Sequence, residues 1–260
     1  MNKEISFIFH GPYSSEHIDM LEECRKYGEI ILCTYKNQIS NVSNNSSLYD
    51  KIILHDDFYE KNNKIHNSGN IFRHLYSVIQ GLKIANGKNC IKIRSNHSFS
   101  NLEYIKNILI NNTTDKFICD NFTINHSMPY HLSDSILAGT KETMIGIYET
   151  AINSLINEDF IYQMVDIRIR PELVTFCSYL KYKKIAIPND HQVWFYDVDV
   201  DGKVYHFPMT ADYVKFLDDN CQLIDIREIG PSKINFNGNN FNPEFTYKTI
   251  KDIYTPWYNK

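Results

Sequence analysis

The stretch from Asn67 to Leu102 constrains the fold most, because it combines a helix, a helix stop, a strand and a polar turn. Its apolar side chains recur at helical spacing and form one stripe: Ile71, Leu75, Val78, Ile79, Leu82 and Ala85. Asn86-Gly87 then ends the helix, and residues 90–93 indicate a buried strand. A polar turn at residues 94–97 follows that strand. In α/β proteins, ligands usually bind just beyond the carboxyl end of a strand.

Three short apolar runs precede this helix and predict strands at residues 5–10, 29–35 and 51–54. A helix over residues 16–27 separates the first two, and the Asn/Ser-rich residues 37–47 indicate a surface loop. The order is therefore β-α-β-β-α-β. It predicts an α/β fold in which these strands and the strand at 90–94 are neighbours in one mainly parallel sheet flanked by helices.

The later sequence continues the alternation. It predicts helices over residues 102–110 and 141–155, a strand over 117–119, and a helix with Pro171 in its first turn. Asp201-Gly202 lies between two alternating runs and predicts a C-terminal β-hairpin over residues 193–207, followed by a surface tail. No linker interrupts the 260 residues, so we expect a single domain.

The composition excludes several classes of protein. The formal net charge is −4, so no basic field indicates nucleic acid as a partner. The six cysteines lie at irregular spacings, and most of them are in or beside apolar runs, which is typical of buried thiols in a reducing compartment. The N-terminal apolar run is too short for a signal peptide, so we expect a cytoplasmic protein.

Lys92 and Arg94 are the most informative charged pair. They occupy alternate positions of an otherwise apolar strand, so both side chains point to the same side of it. Asn70 and Arg73 share one stripe of the preceding helix, and Arg73 could converge on the same place. Converging cations suit a diphosphate ligand. The alternative is an edge strand whose charges face solvent.

Other motifs are weaker. Gly11-Pro12 after the first strand allows backbone amides to approach a ligand, or marks an ordinary turn. GxGxxG and Walker A sequences are both absent. Asp197, Asp199 and Asp201 imitate the start of a calcium loop, but Pro208 stands at the twelfth position, which favours the hairpin. The ten histidines form no metal-binding pair in sequence.

Several of these motifs occur together in a known family. Five pieces follow one another along the chain: ISFIFHGP at 5–12, DKIIL at 50–54 closing on Asp56, NIFR at 70–73 with Gly81-Leu82, KIRSN at 92–96, and HLSD at 131–134 with Gly139. In order and spacing they resemble the WavE lipopolysaccharide-synthesis family of bacterial glycosyltransferases. The first four pieces cover residues 5–100, and the fifth extends the match to about 140. Beyond that point, only Pro171-Glu172 is similar to the family.

The resemblance implies a GT-A-like fold and transfer of a sugar from a nucleotide sugar to a surface polysaccharide or lipopolysaccharide acceptor. The acceptor would be lipid-linked or an oligosaccharide, met at the inner face of the inner membrane. Residues 1–100 would form the nucleotide-binding half and residues 101–260 the acceptor half. The substrate-binding residues would be His10, Gly11, Asp56, Asn70, Arg73, Lys92, Arg94, Ser95 and Asn96. If the reaction inverts the anomeric centre, Asp134 is the candidate general base for the acceptor hydroxyl, with Glu172 as the second choice. A helix or turn cap after Ser133 is the alternative role of Asp134.

Asn96 departs from the family pattern. The family has Arg-Ser-Asp at this place, where the acid would hold a divalent ion that bridges the diphosphate. A neutral amide is a weaker ligand for a hard cation, which weighs against a Mn²⁺ or Mg²⁺ cofactor. Asp56, Asp57 or His97 could supply a replacement ligand. Asn96 also favours a rival hypothesis, a degenerate, non-catalytic sugar-binding or scaffold protein of a polysaccharide assembly complex. A third hypothesis is a nucleotide-sugar enzyme that is not a transferase, such as a phosphohydrolase.

Overall fold

The computed structural model describes residues 4–56, 69–121, 130, 132–157, 171–186 and 211–234. Its strands are β1 (Ile5–His10), β2 (Gly28–Tyr35), β3 (Lys51–His55), β4 (Asn89–Arg94), β5 (His97–Phe99), β6 (Phe117–Asp120), β7 (Ile136–Thr140), β8 (Cys221–Ile224) and β9 (Pro231–Ile234). Its α-helices are α1 (Leu21–Tyr27), α2 (Ile39–Ser43), α3 (Gly69–Ile84), α4 (Leu102–Asn111), α5 (Lys141–Ile156), α6 (Pro171–Tyr182) and α7 (Ala211–Asn220).

Seven strands form one mixed sheet in the order β3-β2-β1-β4-β7-β6-β8. The pairs β3/β2, β2/β1, β1/β4 and β6/β8 are parallel, while β7 runs antiparallel to both of its neighbours. The sheet predicted from the first hundred residues is therefore confirmed, with its four strands adjacent and parallel. The α/β fold with a mainly parallel sheet is confirmed as well.

The sheet is covered on both faces. The core on one face joins side chains of α3, α5, α6 and α7, and the core on the other joins side chains of α1, α2 and α4. Every residue of β1 and β2 is buried, with alternate side chains entering the two cores, as expected of central strands in a parallel sheet. All six cysteines are buried and free, as predicted.

Helix α3 lies very close to the sheet because of one glycine. A Cβ atom at Gly81 would come within 2.6 Å of Cγ2 of Ile8 and 2.7 Å of Sγ of Cys33. The apolar stripe of the helix can therefore pack tightly on β1 and β2. This packing fixes the amino-terminal turns of α3 beside the carboxyl ends of those strands.

Some element predictions need correction. Residues 37–47 are not a plain surface loop, because they contain α2, whose Val42 is buried in the core. The first helix is split into a 3₁₀ turn at Ile18–Met20 and the short α1. A second small sheet pairs β5 with β9, which the sequence did not predict. The predicted hairpin at 193–207 and the tail from 235 onward lie outside the described residues, so both stay predictions.

Candidate functional site

A cavity of about 320 Å³ lies at the carboxyl ends of the first strands. The chain places β2 and β3 on one side of β1 and β4 on the other, so the strand order reverses between β1 and β4. In open α/β sheets this switch point is where ligands bind. The residues that line the cavity are His10, Gly11, Pro12, Tyr35, His74, Arg94, Ser95, Asn96 and Pro171. Five of them were predicted from the sequence: His10, Gly11, Arg94, Ser95 and Asn96.

The two loops at the switch point are fixed to each other. The Ser95 backbone N–H donates to the His10 carbonyl at 3.0 Å, and the Ser95 hydroxyl donates to the Pro12 carbonyl. Gly11 has a φ of +108°, which favours glycine. Its N–H donates to the Cys33 carbonyl at 3.2 Å, so this amide serves the turn and is not offered to a ligand.

His17 supports the same loop from below. Its Nδ1–H donates to the Ser95 carbonyl at 2.6 Å, and its Nε2 accepts from the Tyr49 hydroxyl at 2.8 Å. The ring also stacks on Phe9. Burial lowers the pKa of His17 to about 4, so the neutral tautomer that makes both bonds persists at physiological pH. His17 thus has a structural role that the sequence did not reveal.

Lys92 and Arg94 are paired with one buried carboxylate. Arg94 Nη2 lies 2.9 Å from Oδ1 of Asp134, and Lys92 Nζ lies 3.7 Å from its Oδ2. Lys92 also donates to the Asp134 carbonyl oxygen. The exposed fractions are 0% for the Lys92 side chain and 1% for Asp134, so the alternative of solvated charges on an edge strand is wrong. β4 is instead the central strand, and it can carry two cations because Asp134 compensates them.

The reversed direction of β7 brings Asp134 to this place. β7 is antiparallel to β4, with Ile136 opposite Ile93, so the two residues before β7, Asp134 and Ser135, lie beside the end of β4. Asp134 lies behind the cavity-lining Arg94 and His74, and its own side chain is enclosed. Its role as a general base stays a prediction.

Glu172 is the second acid of the cluster. It lies in the first turn of α6, and its Oε1 is 3.7 Å from Arg94 Nη2. Burial raises the pKa of Glu172 to about 7, and the neighbouring Asp134 carboxylate acts in the same direction, while Arg94 opposes them. A carboxyl group with such a pKa can gain or lose a proton at physiological pH.

Two histidines meet at the cavity, and the sequence indicated only one of them. The rings of His10 and His74 contact edge to face, with 4.3 Å between their centroids. His74 Nε2 lies 3.3 Å from Oδ2 of Asp134. Burial lowers the pKa of His74 well below its usual value, so at neutral pH this contact joins a neutral ring to a carboxylate. A signal existed: His74 interrupts the apolar stripe of α3 on its inward face.

Other predicted residues lie elsewhere. Asp56 follows β3 and lies 3.1 Å from Lys36 Nζ in an exposed ion pair, outside the cavity lining. Arg73 is stacked over the ring of Tyr35, with its Cζ 4.5 Å from the ring centroid, so it approaches the cavity through that ring. Asn70 belongs to the first turn of α3, and its side chain lies outside the described part of the structure.

The described residues do not fit the divalent ion that the resemblance implies. Among them, no three His, Cys, Asp or Glu side chains are grouped as a metal site. The candidate replacement Asp56 is paired with Lys36, and His97 lies beneath the surface, where burial lowers its pKa to about 3. Asp57 lies outside the described residues. The acids nearest the cavity, Asp134 and Glu172, are engaged with Arg94 instead.

A second depression, of about 450 Å³, lies at the β8 edge of the sheet, between the end of α4 and Gln222. Its lysine, Lys116, donates to the Asp218 carbonyl at 2.7 Å. No buried charged cluster like that around Arg94 is described there, so the cavity at the switch point is the better candidate for a functional site.

Comparison with known proteins gives little. No protein-family model matches the chain, and no curated protein matches it. Among solved structures, the chain is similar to 4-diphosphocytidyl-2C-methyl-D-erythritol synthase from Anaerococcus prevotii, with a TM-score of 0.40 and 13% identity. That match covers 69% of this chain and 97% of the other. The helices of the described residues include none long and apolar enough to cross a membrane.

Proposed function

We propose that this protein is a glycosyltransferase that moves a sugar from a nucleotide-activated donor to a surface polysaccharide or lipopolysaccharide acceptor. The five sequence motifs that resemble the WavE family supply the reaction class. The observation that carries the proposal is the cavity at the switch point, because two of those motifs line it: the first through residues 10–12 and the fourth through residues 94–96. Its volume of about 320 Å³ suits part of a nucleotide sugar.

Arg94 is the group that would bind the donor diphosphate. Its side chain is 23% exposed while its partner Asp134 is enclosed, so one side of the guanidinium faces the cavity. Arginine binds phosphate oxygens through two parallel hydrogen bonds. Lys92, fully buried behind it, adds positive potential without touching solvent. Charge that develops on the departing diphosphate would be stabilised by these fixed cations rather than by a metal ion.

Glu172 is the side chain best suited to the proton transfer of the reaction. Its pKa of about 7 allows both protonation states near neutral pH, and it adjoins the cavity through Pro171. Asp134 is instead enclosed and held by two cations, so we assign it the positioning of Arg94 and Lys92. This order reverses the preference that the sequence suggested.

The second candidate function is a sugar-binding or scaffold protein without catalysis. Asn96 favours it, because this residue lines the cavity where the family pattern has a carboxylate. A phosphohydrolase remains the third candidate from the sequence.

A thermal-shift screen followed by a transfer assay tests the proposal. UDP-, GDP-, ADP- and CMP-sugars are added with and without Mn²⁺, and a ligand that binds the folded state raises the melting temperature. Arg94→Lys should reduce the shift, and Arg25→Lys is the matched control because Arg25 lies on α1, bonded to the Leu48 carbonyl. Binding with transfer of sugar supports the glycosyltransferase. Binding without turnover supports the scaffold, release of sugar to water supports the hydrolase, and no binding rejects the nucleotide site.

A further inference from the structure

Two buried carboxylates face one guanidinium nitrogen at the candidate site. Arg94 Nη2 lies 2.9 Å from Asp134 Oδ1 and 3.7 Å from Glu172 Oε1. The contact with Asp134 is a hydrogen bond, whereas the distance to Glu172 is that of a looser ion pair. Two acids that share one cation repel each other, and the one with the weaker contact is the easier to displace.

The looser acid, Glu172, lies where an anion would bind. It belongs to the first turn of α6, and the preceding Pro171 lines the cavity. α6 has 12 residues, and the positive end of its helix dipole lies at this amino terminus. Arg94 lines the same wall. The carboxylate of Glu172 thus occupies an anion position that the protein itself provides.

A second observation points to a ligand in this cavity. His10 is 2% exposed and lines the cavity, and neither of its ring nitrogens has a hydrogen-bond partner in the structure. A buried polar group without a partner lowers stability, because it has lost its hydrogen bonds to water. A ligand with hydrogen-bonding groups would satisfy His10 from inside the cavity, next to Arg94.

We propose that Glu172 competes with the ligand for Arg94, so that an anionic group of the ligand takes the place of its carboxylate and Glu172 takes up a proton from solvent. The inference deepens the proposed function and rests on it only for the identity of the anion, a nucleotide diphosphate. The step breaks no covalent bond: one proton binds to the carboxylate, the ion pair with Arg94 opens, and the anion forms its own ion pair. A dianion that enters brings two negative charges and the proton brings one positive charge, so the net charge of the cluster becomes more negative by one.

The surroundings of Glu172 make proton uptake feasible near neutral pH. The charged groups that act on its pKa are Asp134, Arg94 and Lys92. α3 contributes His74 to the same cluster, and α5 contributes Tyr148, which lies near Asp134 and Arg94. Because burial and Asp134 already raise the pKa of Glu172 to about 7, a further negative charge beside it favours the protonated form.

Binding should therefore weaken as pH rises. Below pH 7, Glu172 is mostly protonated and no longer competes as a carboxylate for Arg94, whereas above pH 7 an anion must first displace that carboxylate. For one linked proton, affinity for a dianion of fixed charge should fall about tenfold between pH 6 and pH 8. The protonated carboxyl group would then lie beside the bound diphosphate, and it must release this proton before it can act as a base toward the acceptor.

Inorganic sulfate tests the competition independently of any nucleotide, because it stays a dianion across this pH range. Sulfate affinity is measured by calorimetry at pH 6 and pH 8 for the unmodified protein, for Glu172→Gln and for the matched control Glu149→Gln. Glu149 lies on α5, exposed and paired with Lys83, so its variant removes the same charge away from the cavity. We expect the unmodified protein and Glu149→Gln to lose about tenfold in affinity toward pH 8. Glu172→Gln should bind at both pH values as tightly as the unmodified protein at pH 6.

A second measurement needs no variant. Calorimetry at pH 7 in two buffers of different ionisation enthalpy reports the protons bound with sulfate, and about half a proton per site is expected for a group that titrates near 7. No sulfate binding, a pH-independent affinity, no proton uptake, or an unchanged pH profile in Glu172→Gln would overturn the inference. Repeating the titration with UDP-glucose separates the two proposals: sulfate behaving as expected while no nucleotide sugar binds rejects the donor and leaves the competition intact.

Discussion

The two halves of the central sheet contribute opposite charges to the candidate site. The parallel half, β1 to β4 with α3, supplies the cations Lys92 and Arg94, beside the neutral rings of His10 and His74. The other half supplies Asp134 from the residue pair before the reversed β7, and Glu172 comes from α6. Neither half alone has its buried charges compensated. Without the other half, β4 would bury two cations, and the segment before β7 would bury a carboxylate. The site therefore forms only when both halves dock, and its electrostatics depend on that contact.

The largest expected effect comes from breaking this compensation. Asp134→Asn leaves Lys92 and Arg94 beside a neutral amide, and removal of one partner of a buried ion pair costs about 3–5 kcal/mol in the free energy of unfolding. Urea denaturation at pH 7 measures it. Asp56→Asn, in an exposed pair with Lys36, is the control and should change stability by about 0–1 kcal/mol. Equal effects of the two variants would contradict the view that Asp134 holds the halves together.

The second prediction concerns pH. The pKa of Glu172 is raised to about 7, so the folded protein holds this proton more tightly than the unfolded chain does. Stability from this group is present at pH values below its ordinary pKa and is lost as pH rises through 7, on the order of 2 kcal/mol between pH 5 and pH 8. Glu172→Gln should remove that part of the pH dependence, as followed by denaturation at several pH values. If stability depends on pH in the variant as it does in the unmodified protein, the pKa of Glu172 is not raised in the folded state.

The third prediction separates the two arginines of the parallel half. Arg94→Ala should weaken binding of a nucleoside diphosphate by about 1–3 kcal/mol, through loss of a charge-assisted bond. Arg73→Ala should weaken it less, because Arg73 reaches the cavity through the ring of Tyr35. Calorimetry compares both with Arg25→Ala as the control. Affinity unchanged in Arg94→Ala would place the ligand elsewhere.

The smallest effect expected is that of metal removal. The described residues form no metal cluster, and Asn96 offers a neutral amide at the cavity. We therefore expect EDTA to change the affinity of the unmodified protein for a nucleotide sugar by no more than about twofold. In Asn96→Asp, binding should become stronger with Mn²⁺, since a carboxylate is a stronger ligand for a hard cation. Titrations with Mn²⁺ and EDTA test both. Strict dependence on metal in the unmodified protein would show that another acid completes an ion site.

The sequence by itself determined the parallel half of the fold. Continuous apolar runs at residues 5–10 and 29–35 predict strands that are buried on both faces of a sheet. The apolar stripe of the helix that stops at Gly87 needs such a sheet to pack against. The polar turn after β4 followed from the same local patterns. Lys92 and Arg94 were identified because charged side chains in an apolar strand are rarely buried unless they are paired or face a ligand. Each of these signals lies within a short stretch of chain, so it can be recognised in a single sequence.

Only the tertiary structure decided which partners these charges have. The antiparallel direction of β7 places Asp134 beside Arg94 across 40 positions of sequence, and no periodicity encodes that direction. The start of α6 brings Glu172 to the same guanidinium, and burial, which is a property of the packed state, moves its pKa to about 7. The pairing of charges and the protonation of an acid depend on distance and desolvation, and both arise only when remote segments pack together.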